Sequence, residues 1–161
     1  LEGSPVRILE AVIDVNEARK QEMAEKVVDI LGGADQAKGK TVAIWGLTFK
    51  PNTDDLRDSP SIAIIPALQQ AGLKVRAFDP QGMEGAAELF EDVAFTGNAL
   101  EAAASADVVC LVTHWPEFAE INLAEVQDVL NEARFVDLRN VFDPQTMKQN
   151  GWIYRSLGRP A

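Results

Sequence analysis

The chain has 161 residues, 47% apolar and 25% charged, the balance of one ordinary globular domain with room for a substantial core. Its formal charge of −10 argues against a binder of nucleic acid or of anionic membrane, since both need a net basic surface. No apolar run approaches the roughly 20 residues that cross a bilayer. One cysteine rules out an internal disulfide and suits a reducing cytoplasm, and one cysteine with one histidine is too few for a structural zinc site, so no metal is expected.

The opening LEGSPVRILE has neither a basic run nor a continuous apolar one, so no secretory leader is read there. LEGS looks like an expression remnant or a cut edge, which points to a fragment of a longer chain. A long helix is predicted over 5–31, with Leu9, Val12, Ile13, Asn16, Met23, Val27 and Ile30 close to i, i+3, i+4, i+7 spacing, and Gly32-Gly33 as its stop. Strands and helices then alternate. A β-branched run at 41–45 is a strand, 61–70 a helix ended by Ala71-Gly72, and 74–78 (KVRAF) an alternating strand closing on Asp79-Pro80. Helix 83–90, short strand 93–95 and helix 99–104 follow. The nearly continuous apolar run 107–113 (DVVCLVT) reads as a strand buried on both faces. Helix 123–130, strand 134–137, helix 144–149 and strand 152–154 complete the chain. This alternation predicts an α/β fold, a Rossmann-like three-layer domain with a mostly parallel sheet and right-handed crossovers, preceded by a long helix. The division is 1–36 for the helix and 37–161 for the domain.

Open sheets of this kind bind ligands beyond the carboxyl ends of their strands. GLTFK, DPQG, THWPEF and DLRN all fall at that edge. A dinucleotide fingerprint needs three glycines at fixed spacing, and the first loop offers only Gly46. Its charged residues admit two readings. Lys50 can reach a phosphate or sugar oxygen as a point charge and Arg57 can fork onto a phosphate; alternatively Lys50, Asp54, Asp55 and Arg57 form a solvated, self-paired loop. Asp58, Ser59 and Ser61 read as caps of the next helix. Arg139 faces the same edge and either meets a ligand or pairs with Asp137 or Asp143. A lone loop histidine such as His114 is more often structural than catalytic, and Cys110, among apolar neighbours, is a small hydrophobe rather than a nucleophile.

The blocks VAIWGLTFKPNTDDLRDSPS, VRAFDPQG, ADVVCLVTHWPEF, FVDLRNVFDP and WIYRSLGR together resemble the C-terminal domain of the UDP-glucose dehydrogenases, whose wider group includes the GDP-mannose and UDP-N-acetylmannosamine dehydrogenases. The likeness runs in order from about Pro5 to Arg159, and GLTFKPNTDDLR is its most specific block. The long helix, with DVNEARKQ, is similar to the end of the helix that joins the family's two Rossmann-like domains and builds its dimer. The resemblance implies that an N-terminal domain, absent here, binds NAD and supplies a cysteine that attacks the C6 aldehyde, two hydride transfers making a carboxylate. The C-terminal domain holds the nucleotide of the nucleotide-sugar. Carried over, Phe49 and Lys50 match the pair that contacts the UDP-sugar, Arg57 the arginine that reaches the NAD, and Arg139 an arginine near the nucleotide. Asp79 and Pro80 form the family's DP turn, with a role in shaping the site.

The sequence departs from the pattern at His114, where many relatives carry an acidic residue, and at Leu138, where glycine is commoner. No catalytic residue is expected in the chain itself. The expected whole is a cytoplasmic, homodimeric, NAD-dependent enzyme oxidising UDP-glucose to UDP-glucuronate, of which this chain binds the UDP-sugar and turns over nothing alone. Within the resemblance, the alternative is the same domain of a GDP-mannose or UDP-N-acetylmannosamine dehydrogenase. Two readings of another class stand beside it. One is a receiver-like signalling domain, for which Asp54-Asp55 superficially qualifies but which needs an aspartate ending the third strand and a lysine ending the fifth. The other is an assembly domain dimerising through the first helix.

Overall fold

A computed structural model describes residues 7–159 of the chain. Pro5, Val6, the LEGS segment and the side chains of Leu9 and Ile13 lie outside the described residues. In chain order the elements are α1 (Arg7–Ile30), α2 (Ala34–Ala37), β1 (Thr41–Trp45), α3 (Ser61–Gln70), β2 (Lys74–Phe78), α4 (Met83–Leu89), β3 (Val93–Phe95), α5 (Ala99–Ala103), β4 (Val108–Leu111), α6 (Pro116–Ala119), α7 (Leu123–Val129), β5 (Arg134–Asp137), α8 (Pro144–Gln149) and β6 (Ile153–Ser156). No described helix is long and apolar enough to cross a membrane.

The strands form one six-stranded sheet in the order β3-β2-β1-β4-β5-β6, and every adjacent pair is parallel. The expected mixture is thus a wholly parallel sheet. A receiver-like domain has the order 2-1-3-4-5 instead, which overturns that reading. The third strand also runs into Thr96 and the fifth into Leu138, neither of which is the acid or the lysine a receiver needs.

Alternating side chains separate two cores. Val42, Ile44, Val108, Cys110 and Val136 point to one face, where α1, α3 and α4 bring Ala24, Val27, Ile30, Ile64, Leu68 and Ala86. Ala43, Trp45, Val109, Leu111 and Phe135 point to the other, met by Ala102, Phe118, Val126 and Met147 from α5, α6, α7 and α8. Phe135 is the hub of that second core, edge-on to Trp45 at 5.6 Å, Phe142 at 5.4 Å and Trp152 at 5.6 Å. Each such aromatic pair adds about 0.5 to 1.5 kcal/mol beyond area burial. The last turns of α1 belong to the first core, while Val12 and Val15 further up the helix are exposed, so its apolar stripe is split between the domain and solvent.

Two details place the site. β4 stops at Leu111 because the amides of Val112 and Thr113 both turn to the Trp45 carbonyl, at 2.9 and 3.3 Å. β6 starts one residue later than expected because the Trp152 amide closes α8 on Met147, at 3.0 Å, and its ring joins the core.

Candidate functional site

The strand order reverses between β1 and β4, and the crevice beyond their carboxyl ends is where doubly wound sheets take ligands. Gly46 stands at this point with φ of 85°. A Cβ there would lie 2.6 Å from the Thr113 carbonyl oxygen and 2.7 Å from its amide nitrogen, so the two loops meet at backbone distance only because the residue is glycine.

Residues 47–50 carry Phe49 and Lys50 over this crevice on a backbone held from below. Asp79, fully buried after β2, is the principal anchor. Its Oδ2 accepts the amides of Leu47 (2.6 Å) and Thr48 (3.1 Å) and the indole N–H of Trp115 (3.0 Å), with the Thr48 hydroxyl at 3.2 Å. Its Oδ1 accepts the amides of Gln81 (3.0 Å) and Gly82 (2.8 Å). The Thr48 hydroxyl also reaches the Lys50 carbonyl at 3.1 Å, and Thr113 donates to the Thr48 carbonyl. The Leu47 carbonyl, buried and outside any ladder, receives the hydroxyls of both Ser59 (2.7 Å) and Ser61 (2.6 Å). The capping role read for these serines is met only by Ser59, whose hydroxyl accepts the Ser61 amide at 3.3 Å while donating to Leu47; the N-cap position of α3 is Pro60, which has no side-chain cap.

Seven polar side chains are buried among the described residues. Thr48, Ser59, Ser61, Asp79 and Thr113 hold residues 47–50, and a sixth, Asp137, does the same for the loop bearing Arg139. Asp137 closes β5 and accepts the amides of Arg139 (2.9 Å) and Phe142 (3.0 Å) and the Tyr154 hydroxyl (2.8 Å). Burial first, and the Asp137 charge after it, push the Tyr154 phenol well above its ordinary range. Since buried polar groups are costly unless bonded, their concentration under two short loops fixes the shape of this edge.

The cations above behave differently from one another. Arg57 is exposed and forks onto Asp55, through Nε at 2.9 Å and Nη2 at 2.8 Å, while its amide also meets that carboxylate at 3.0 Å. These bonds pull the Asp55 pKa down to about 2 and raise that of Arg57. The self-paired reading therefore holds for Asp55 and Arg57, whereas the exposed Lys50 only adds its charge to the field on Asp55 and has no bonded side-chain partner among the described residues. The pairing of Arg139 with Asp137 or Asp143 is absent as well. Asp137 serves the backbone, Asp143 caps α8 through the Thr146 amide at 2.8 Å, and the exposed Arg139 guanidinium has no described partner. Strand spacing puts the β1 and β5 loops roughly 10 Å apart, across β4. Phe49 is 48% exposed and borders an open groove of about 510 Å³ with Pro60, Asp58 and, from α1, Asn16, Lys20 and Met23. The helix residues of this groove escaped the sequence reading, since only the fold brings them beside Phe49.

On the β4 loop, His114 is exposed and makes no described side-chain bond, so it holds no part of the fold. Partial burial, then the Asp79 charge, raise the Glu117 pKa. Cys110 is buried and desolvation drives its thiol far up, consistent with an inert core residue. Leu138 fills the first core at 4% exposure, in the place expected to approach a ligand through glycine.

The first turn of α3 is not arranged as a pyrophosphate cradle. The first amides of α3 are all engaged: Ser61 on the Ser59 hydroxyl at 3.3 Å, Ile62 on the Ser59 carbonyl, Ala63 and Ile64 on Pro60. No donors remain there for a pyrophosphate. A larger groove of about 680 Å³ opens at the opposite, amino edge, where Lys74 and Arg76 are offset by Glu91 and Asp92.

The sheet order and the braced carboxyl edge define an α/β domain of the Rossmann-like class. Residues 43–144 match the family model described as the UDP-glucose/GDP-mannose dehydrogenase family, UDP binding domain, and the chain belongs to that family. It is 42% identical over 157 residues to the UDP-glucose 6-dehydrogenase of Rhizobium meliloti (strain 1021), covering 98% of this chain and 36% of the relative. A solved UDP-glucose dehydrogenase from the archaeon Pyrobaculum islandicum superposes with a TM-score of 0.72 at 29% identity, over 91% of this chain and 31% of that one. The NDP-N-acetyl-D-galactosaminuronic acid dehydrogenase of Methanosarcina mazei Go1 shares the fold, with a TM-score of 0.77 at 23% identity, over 98% and 33% of the two chains. The chain thus spans about a third of the length of the relatives it matches.

Proposed function

We propose that this chain is the nucleotide-sugar-holding domain of an NAD-dependent UDP-glucose 6-dehydrogenase. The whole protein would oxidise UDP-glucose with two NAD to UDP-glucuronate in the cytoplasm, as a supply for surface polysaccharide. The observation that carries this reading is the presence, at one sheet edge of a family member, of two exposed cations, Lys50 and Arg139, with no bonded side-chain partner among the described residues. Lys50 and Arg139 neutralise the diphosphate, Lys50 as a point charge and Arg139 as a fork, and Phe49 offers an apolar face to the nucleotide-sugar. Arg57, oriented by Asp55, reaches toward a cofactor held outside this chain. The isolated chain turns over nothing, because it has no dinucleotide cradle and its one thiol is buried. Two copies associate through α1, a reading supported by Val12 and Val15, which are 51% and 66% exposed on that helix. Light scattering that finds a monomer at high concentration counts against this association.

Calorimetric titration of UDP and of GDP into the wild-type chain and into Lys50→Ala tests the site. UDP binding that weakens strongly in the variant is the expected result. No heat with either nucleotide, from a chain shown to be folded, contradicts the reading, and a preference for GDP moves the substrate to a GDP-sugar.

A further inference from the structure

We infer that Asp79 is a positioning residue for nucleotide-sugar binding, acting through the 47–50 backbone, and that Trp115 couples the β4 loop to the same anchor. The inference rests on the nucleotide-sugar reading of Lys50 and adds a residue that touches no ligand. Asp79 is fully buried, and a carboxylate removed from water is costly unless donors converge on it. Here they converge from three stretches of chain: Leu47 and Thr48 from the β1 loop, Gln81 and Gly82 from its own turn, and Trp115 from the β4 loop. Two of these donors are the amides directly before Phe49. The Thr48 hydroxyl continues the path, lying 3.2 Å from Asp79 and 3.1 Å from the Lys50 carbonyl. The approach to the Phe49-Lys50 step is therefore held from below by a carboxylate more than 30 residues away along the chain, while the Phe49 amide itself donates to the Asp55 carbonyl at 2.8 Å.

Trp115 gives the arrangement a second reach. Its ring is packed in the core at 3% exposure, and its indole N–H is used on Asp79 and nowhere else. The backbone of His114 and Glu117, near Trp115 in the chain, is thereby tied to the same oxygen that holds Leu47. In Asp79→Asn the charge is lost and one side of the group becomes an NH2. That NH2 must face either the Gln81 and Gly82 amides or the Leu47, Thr48 and Trp115 donors, so one set loses its acceptor. Trp115→Phe removes a single donor and keeps an aromatic ring in place.

The test is UDP affinity of the wild-type chain, Asp79→Asn and Trp115→Phe, measured by calorimetry well below each melting temperature, with amide hydrogen exchange on the same samples. The expected result is a Kd raised about tenfold in Asp79→Asn and about threefold in Trp115→Phe, at unchanged stoichiometry, with faster exchange at residues 46–50. A purely structural role lowers the melting temperature and leaves the Kd of the folded chain unmoved, and that outcome overturns the inference. If Asp79→Asn does not fold, Trp115→Phe decides by the same criterion. A wild-type chain that binds no UDP is a different failure: it removes the site reading itself, and this inference with it.

Discussion

The loop from β1 to α3 has a root and a tip that treat charge in opposite ways. At the root, Asp79 is dry and meets six donor groups within 3.2 Å, and the Leu47 carbonyl is shared by two serine hydroxyls. At the tip, Asp55 and Arg57 hold each other in water, and Asn52 and Asp58 take left-handed backbone at φ of 62° and 58°, which short polar residues tolerate. The root fixes where the loop lies and is costly to alter. The tip contributes little to stability, because exposed ion pairs are worth about 0 to 1 kcal/mol, and so the Asp55-Arg57 pair is cheap to rearrange. Lys50 stands at the junction, on braced backbone with an unpaired head.

Substitutions should separate the two regions in a set order of magnitude. Gly46→Ala carries the largest effect, since its Cβ would sit within 2.7 Å of Thr113 backbone at a φ of 85°. A loss of about 4 kcal/mol is expected in urea unfolding, and a near-neutral result would show that the two loops are free to separate. Asp79→Asn comes next, with about 2 to 4 kcal/mol lost by the same measurement. Lys50→Ala should change stability by no more than about 0.5 kcal/mol while weakening UDP about tenfold or more, the reverse of a root residue. A Lys50→Ala chain that melts early with unchanged affinity would erase the distinction.

The smallest effect belongs to the tip. The Asp55 carboxyl should titrate near pH 2 by NMR, and Arg57→Ala should return it toward its ordinary 3.8. Because its folded pKa is depressed, this pair stabilises the fold fully above pH 3.8 and loses that contribution as pH falls through 2. The exposure of Arg57 keeps the contribution small and sensitive to salt, so the unfolding midpoints of wild type and Arg57→Ala should nearly coincide in concentrated salt.

Much of the architecture was legible before the structure because its signals are local. The predicted spans 41–45, 61–70, 74–78, 93–95, 134–137 and 144–149 coincide with β1, α3, β2, β3, β5 and α8. The four-residue helices α2 and α6 were missed, being too short to show a period. Strand order and the buried anchors were invisible for a different reason. Nothing near Asp79 in sequence says that Leu47 and Trp115, 32 and 36 residues away, will donate to it. Ser59 before Pro60 reads locally as a cap, and only the fold shows that its hydroxyl, besides accepting the Ser61 amide, donates back to Leu47. For Arg139, nearby Asp137 and Asp143 offered an ion pair that backbone amides in fact claim.

Mapping UDP onto the isotope-labelled chain by two-dimensional NMR tests the central claim most directly. The account predicts shift changes centred on the amides of Phe49, Lys50 and Arg139 at the carboxyl edge, with Lys74 and Glu91 of the amino-edge groove unmoved. Changes confined to that amino edge, or a saturating UDP titration that leaves Lys50 and Arg139 in place, would contradict it.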